Sequence, residues 1–483
     1  MPTTRERLLK NTMARLLNQG ILVISSFAIA VPLARWWGAE SFGRYSFAIA
    51  FAALFGFSFD WGLHWLLTRE VARDKGNVAR YLNNALGLTL VLSLFTMAVL
   101  ILLINVFDYP AETILAVYLA GTWTWLEVLA SLFIRGAFYA FERMDYETPP
   151  LLAERLIAVV CGLAVLRAHS GLIALLCVLV ASRLLKLLLC LVIYARRIGP
   201  LGVEFDWRFW RFLARSTFPF GLNLALGLIY TKVDITMLSL LRRNEAEIGF
   251  YRAALALVMY WPALGTSLTS SLFPMMSELY LSRRDSFIRN YRRSVQWLFA
   301  LGLPMTVGLC LLGDRFITSI YGQSFVPAVV SLRILSGSVL LKFIHGTLAM
   351  VLTSSNRQAL RTGIVASAAL GNTLLNLLLI PWAGHVGASV AAVLTDSWIL
   401  VTCYLVVSRQ LGRLRFSAAL GPSTLSAIVM GLGVLLLRRT SLLLLIPAAV
   451  VTYAVALCAL GGVPREQLAK WKELLPLRWW RRV

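Results

Sequence analysis

The sequence predicts an all-α polytopic membrane protein, and three observations carry that prediction. The 483 residues are 59% hydrophobic and 14% charged, whereas soluble domains average about 45–50% apolar and about 25% charged. The apolar residues gather into fourteen runs near the ~20-residue length that crosses a bilayer. Lys and Arg concentrate in alternate short loops, as cytoplasmic loops do.

Residues 1–15 are basic, have no cleavage site after a short apolar core, and read as a cytoplasmic lead-in. Spans follow at 17–37 and 43–67, then a basic loop from Arg69 to Arg80, then spans at 82–106 and 112–140. Past Arg143 come 151–168 and 171–194, and a segment carrying Arg196, Arg197, Arg208, Arg211 and Arg215 leads into 216–241 and 247–275. The Arg283–Arg293 loop precedes 294–312 and 326–353, and Arg357 and Arg361 precede 360–382 and 386–408. The last spans, 418–437 and 441–462, follow Arg409, Arg413 and Arg415. Residues 463–483 alternate Trp and Leu with Lys and Arg, the pattern of an amphipathic segment on the inner leaflet. With both termini cytoplasmic, inner segments hold 30 Lys and Arg and outer segments 8. That topology accounts for most of the +23 formal charge and removes nucleic acid as its explanation.

Short loops leave no room for a soluble catalytic domain on either side. No GxxxxGK[ST] occurs, so no P-loop ATPase is encoded. Cys161, Cys177, Cys190, Cys310, Cys403 and Cys458 all fall in apolar spans without a CxxC pair, and read as small core residues. Neither a metal nor a cofactor is expected, and the chain does not read as an enzyme.

An internal repeat organises the spans. ESFGRYSFAIAF at 40–51 matches AEIGFYRAALAL at 246–257, aligning Gly43 with Gly249 and Tyr45 with Tyr251. AHSGLIAL at 168–175 matches GHVGASVA at 384–391, aligning His169 with His385 and Gly171 with Gly387. Both offsets equal six spans, an even number, so the copies keep one orientation. The expectation is two parallel six-helix lobes around a central cavity, 16–215 and 216–415, with 416–462 outside the repeat.

Charges inside apolar spans carry the functional reading, because each costs at least a few kcal/mol at the bilayer centre. The cationic candidates for binding an anionic substrate are Lys232, Arg135, Lys342, Arg183, Lys186 and Arg252. The candidates for ion coupling are Asp60, His64, Asp234, Glu127 and Asp396. Lys232 and Asp234, two residues apart, point about 200° away from each other on a helix. Asp60 and His64 are spaced i, i+4, which lets a carboxylate orient or pair with an imidazole that titrates near neutrality. Arg183 and Lys186 share a side, as do Lys342 and His345. Asn18, Asn223, Asn372 and Asn376 are read as interhelical hydrogen-bonding groups. Trp36, Trp37 and Trp382 are read as interface anchors, with sugar stacking as the second reading.

Four segments carry a family resemblance: 36–76, 229–257, 325–358 and 372–396. Within them stand D-x-x-M-L-x-x-L at Asp234, Met237, Leu238 and Leu241, then Gly249 and Tyr251, and N-x-x-L-N-L…I-P…G…G-A from Asn372 to Ala388. The chain resembles the polysaccharide transporter family, the Wzx-type O-antigen flippases, within the superfamily of MATE exporters and the lipid II flippase. The resemblance implies a bacterial inner-membrane protein that turns an undecaprenyl-pyrophosphate-linked oligosaccharide (O-antigen, capsule or exopolysaccharide) to the outer leaflet; the two lobes add the expectation of alternating access, driven by an ion gradient. A polysaccharide polymerase and a chain-length regulator are further expected partners. A MATE-like drug or metabolite exporter is the alternative, disfavoured by the excess of bases over acids within the spans.

Overall fold

The structure, a computed structural model, describes residues 4–411 and 416–462, so the amphipathic tail expected at 463–483 lies outside the described residues. Among the described residues sixteen α-helices follow one another and there is no strand. They are α1 (Thr4–Leu54), α2 (Gly56–Asp60), α3 (Leu63–Arg73), α4 (Val78–Val106), α5 (Ala111–Phe133), α6 (Thr148–Arg167), α7 (Leu172–Arg197) and α8 (Trp207–Arg242). Then come α9 (Glu245–Met259), α10 (Trp261–Ser282), α11 (Arg284–Leu311), α12 (Gly313–Tyr321), α13 (Ala328–Ser354), α14 (Gln358–Leu411), α15 (Phe416–Leu436) and α16 (Leu442–Ala459).

Their ends follow local chemistry. The Asp206 carboxylate accepts from the amides of Arg208 and Phe209 at 2.9 and 3.2 Å, capping the otherwise unpaired donors at the start of α8. Prolines occupy the first turn of α6, where a missing N–H costs nothing. Arg196 and Arg197 close α7 on the negative end of its dipole.

Eleven segments among the described residues are long and apolar enough to cross a membrane. Two of them each contain a pair of the sequence-predicted spans. α1 runs through Gly38 (φ 80°) and α14 through Gly384 (φ 53°), non-helical residues that break the helix where a loop was expected. Leu420–Leu436 is a shorter apolar helix at the thirteenth expected span.

The chain divides into two compact units. The first comprises residues up to Arg252 together with Thr373–Ala388. Its core gathers Leu66, Leu67, Phe133, Phe138, Tyr194 and Trp210, all buried. The second comprises Ala253–Asn372 and the described residues from Ser389 onward. There Leu312, Met430, Val434, Leu445 and Leu457 pack around α15 and α16, and the Tyr453 hydroxyl donates to the Ala300 carbonyl at 2.7 Å. Large apolar side chains remain exposed, Leu94 at 76% and Leu443 at 87%, which suits helices whose solvent is lipid.

The repeat has a structural counterpart inside the first unit. A methyl group at Gly43 would collide with the Glu245 carbonyl, and one at Gly249 with the Ala39 carbonyl. Each glycine of the matched pair therefore seats against the backbone four residues before the other. Only a residue without Cβ allows that approach, the small-residue contact used where membrane helices pack closely.

Candidate functional site

Five groups of polar residues lie inside the spans, and each is held by several elements. The first sits where α2 and α3 meet. The i, i+4 spacing of Asp60 and His64 anticipated one continuous helix, but Trp61 (φ 49°) and Gly62 (φ 79°) adopt left-handed backbone and break it. The pairing survives because Asp60 acts from outside α3. One carboxylate oxygen accepts the His64 amide at 3.2 Å, and the other contacts His64 Nδ1. Arg135, on the π-helical turn Ile134–Tyr139, places Nη1 2.9 Å from His64 Nε2. Its guanidinium also lies over the Trp65 ring, 5.8 Å from the centroid. Such π turns are frequent at functional sites. A guanidinium can only donate, so this contact requires a neutral His64 with its proton on Nδ1, toward Asp60.

The second group spans α5, α6 and α7. Arg183 Nη1 reaches Glu127 at 2.9 Å and its Nε reaches Glu154 at 2.8 Å. Lys186 Nζ reaches Glu127 at 2.7 Å and Glu154 at 3.4 Å. The Arg183, Lys186 and Glu154 side chains are 3%, 4% and 1% exposed, so this is a buried ion network. Arg183 further stacks over Trp123, 3.9 Å from its centroid. Arg155 stands at the edge, 3.7 Å from Glu154, and leaves the network one positive charge in excess. Glu154 and Arg155 were missed from sequence because they lie at the entrance of a span whose edge hydropathy alone leaves open. The nearest signal was that Arg183 and Lys186 needed counter-charges beyond Glu127.

The third group is Asp234. Buried on α8, it accepts from the Tyr251 hydroxyl at 2.6 Å and from Asn376 Nδ2 at 2.7 Å. Lys232 belongs to the fourth. As the helical geometry requires, it points elsewhere, is half-buried, and has no ion-pair partner among the described residues. Its charged neighbour is Arg252, half-buried on α9. Lys232 and Arg252 thus bring two positive charges near each other in the first unit.

The fifth group lies in the second unit. Lys342 Nζ is 2.7 Å from Asp396, and His345 Nε2 is 3.8 Å from the same buried carboxylate. Lys342 and His345 do share a face, and that face is turned to an acid. Of the asparagines, Asn18 donates to Glu147 at 3.2 Å, Asn372 to Thr395 at 3.2 Å, and Asn376 to Asp234. Asn223 donates within its own helix, to the Pro219 carbonyl at 2.9 Å. Among the described residues, no group of three metal-binding side chains occurs.

Comparison with known proteins places this arrangement. The model of the family described as "Polysaccharide biosynthesis protein" matches residues 8–280, more than half of the chain. A probable low-salt glycan biosynthesis flippase, Agl15, of Haloferax volcanii is 24% identical over 170 residues, 35% of this chain and 36% of the relative. An uncharacterized membrane protein, MJ1068, of Methanocaldococcus jannaschii is 25% identical over 224 residues, 44% of each. The chain therefore spans less than half the length of these curated relatives in its matched stretches. A solved structure of the lipid II flippase MurJ in an inward closed conformation superposes with TM-score 0.75 at 13% identity, over 95% of this chain and 100% of that one. An inward-facing multidrug resistance MATE transporter of the MOP superfamily gives 0.64 at 13% identity, over 82% and 96%. At such identities the likeness is one of fold.

Proposed function

The chain belongs to the polysaccharide biosynthesis protein family, and from that premise we propose that it is a flippase for an undecaprenyl-pyrophosphate-linked oligosaccharide, and not an enzyme. The proposed direction is from the inner to the outer leaflet of a bacterial cytoplasmic membrane, with both termini cytoplasmic and fourteen spans. The proposed mechanism is alternating access of the lobes 16–215 and 216–415.

One observation carries the reading: Lys232 is a half-buried cation in an apolar helix with no ion-pair partner among the described residues, beside Arg252. A charge kept in a span against its desolvation cost marks a substrate or ion pathway. A pyrophosphate supplies the missing negative charge, and guanidinium groups bind phosphate oxygens in pairs. Arg183, Lys186 and Lys342 are already paired with carboxylates, so in this state they hold helices together and Lys232 leads the cationic set. The test is deletion of the gene in its host. Lipid-linked repeat units should accumulate at the inner leaflet and surface polysaccharide should vanish. Normal surface glycan in the deletion strain would sink the proposal.

The proposed ion coupling rests on Asp60, His64 and Arg135. A proton on His64 Nε2 would set an imidazolium against the Arg135 guanidinium and expel it, so proton arrival and Arg135 release are one event. His64→Gln, which cannot take up a proton, should change the pH dependence of transport in proteoliposomes. An unchanged profile would remove His64 from the coupling path.

A further inference from the structure

At one end of the first unit, the break in α1 at Gly38 meets the α4–α5 and α6–α7 turns around a cavity of about 370 Å3. Trp36, Trp37, Ser41, Arg44, Glu112 and His169 line it. We infer that this cavity is a docking site for a neutral pyranose, a sugar residue of the glycan, separate from the cationic groups within the spans. The source of the sugar rests on the flippase reading; the chemistry of the site does not.

Four features support a sugar. Trp36 is 47% exposed, so its indole offers a free face to the C–H face of a pyranose ring. The Trp37 ring is fixed, its Nε1–H donating to the Leu166 carbonyl at 3.1 Å. Arg44 is clamped between Glu112, at 2.7 Å from Nη1, and Glu245, which Nε contacts. The two acids leave Nη2 oriented without holding it. The Ser41 and His169 side chains make no hydrogen bond among the described residues, and His169 is held at the rim by left-handed backbone (φ 49°), its amide donating to the Leu166 carbonyl at 3.3 Å. Sugar hydroxyls both donate and accept, and this wall supplies donors at Arg44, an acceptor at Glu112, and groups of both kinds at Ser41 and His169.

Charge decides against the head group. Arg44 is the one lining cation of fixed charge, and it is already paired with Glu112 in the wall and Glu245 behind it, so the cavity offers pyrophosphate no free positive charge. A volume near the lower end of ligand sites suits one or two rings. Under the proposed topology this end faces the outer side, where a sugar would be met after the head group has crossed. Simple anchoring of Trp36 at headgroup depth is the competing account, and it assigns no task to the polar wall.

Saturation-transfer NMR tests the inference on the full chain in lipid nanodiscs, with a panel of methyl glycosides (glucoside, galactoside, mannoside, rhamnoside and N-acetylglucosaminide). At least one glycoside should receive transfer concentrated on one ring face. Trp36→Ala should weaken its binding about tenfold, while Trp36→Phe, which keeps an aromatic face, should retain most of it. Ser41→Phe, which fills the cavity from the rim, should abolish binding and serves if Trp36→Ala does not fold. No transfer above empty nanodiscs, or wild-type transfer in Ser41→Phe, overturns the site. The gene deletion separates the two readings. Sugar binding lost in the variants, with normal surface glycan in the deletion strain, keeps the site and removes the flippase. Glycan lost on deletion, with no glycoside bound, does the reverse.

Discussion

Glu154→Ala is expected to destabilise the protein by about 3–5 kcal/mol, the cost of stranding one side of a buried ion pair. Glu154 is 1% exposed and contacts both Arg183 and Lys186. Removing it leaves two buried bases facing one acid, Glu127, whose side chain is 42% exposed. The variant should accumulate poorly, and its melting temperature in detergent should fall well below that of the parent. Replacing Glu154 and Arg183 together, by Met and Leu, should restore part of the loss, because an apolar substitute for a whole pair is often neutral. A single variant that melts like the parent would show that the network contributes little.

Lys232→Ala should have the opposite signature. Lys232 has no carboxylate to leave stranded, so the variant should fold and insert normally. Its affinity for a lipid-linked pyrophosphate should fall by roughly 1.5–3 kcal/mol, the worth of a hydrogen bond to a charged group, or about tenfold to a hundredfold. Initial-rate flipping in proteoliposomes, at several substrate concentrations, reads this as a raised KM. Lys232→Arg, which keeps the charge, should recover much of it. Wild-type transport by Lys232→Ala would remove it from the pathway, and failure to accumulate would make it a structural residue.

The fold was legible because hydropathy over ~20 residues dominates every other signal in a bilayer, and cationic loops mark the ends. The breaks at Gly38 and Gly384 were not, since a single left-handed glycine joins two spans without changing hydropathy. The site was legible where geometry within one helix decides, as in the opposed directions of Lys232 and Asp234. It was illegible where the neighbour decides. Glu127 and Arg135 share a side of one segment, yet Glu127 turns to α7 and Arg135 to α3, because α5 and the π-helical turn that follows it meet different partners. Periodicity gives the direction of a side chain on its own axis, never the helix it meets.

The network of α5, α6 and α7 also bears on biogenesis. Synthesis delivers Glu127 and Glu154 before Arg183 and Lys186. A carboxylic acid can shed its charge by taking a proton, whereas a guanidinium cannot lose its own under cellular conditions. Glu127 can therefore enter the bilayer protonated, and Glu154 enters beside Arg155 of its own helix, 3.7 Å away, so neither acid is stranded while it waits. When α7 leaves the ribosome, its bases find acidic partners already in place. The reverse order would strand a permanent cation in lipid until its partners were made. The chain's direction of growth thus sets the safe order of assembly for its most heavily charged intramembrane contact.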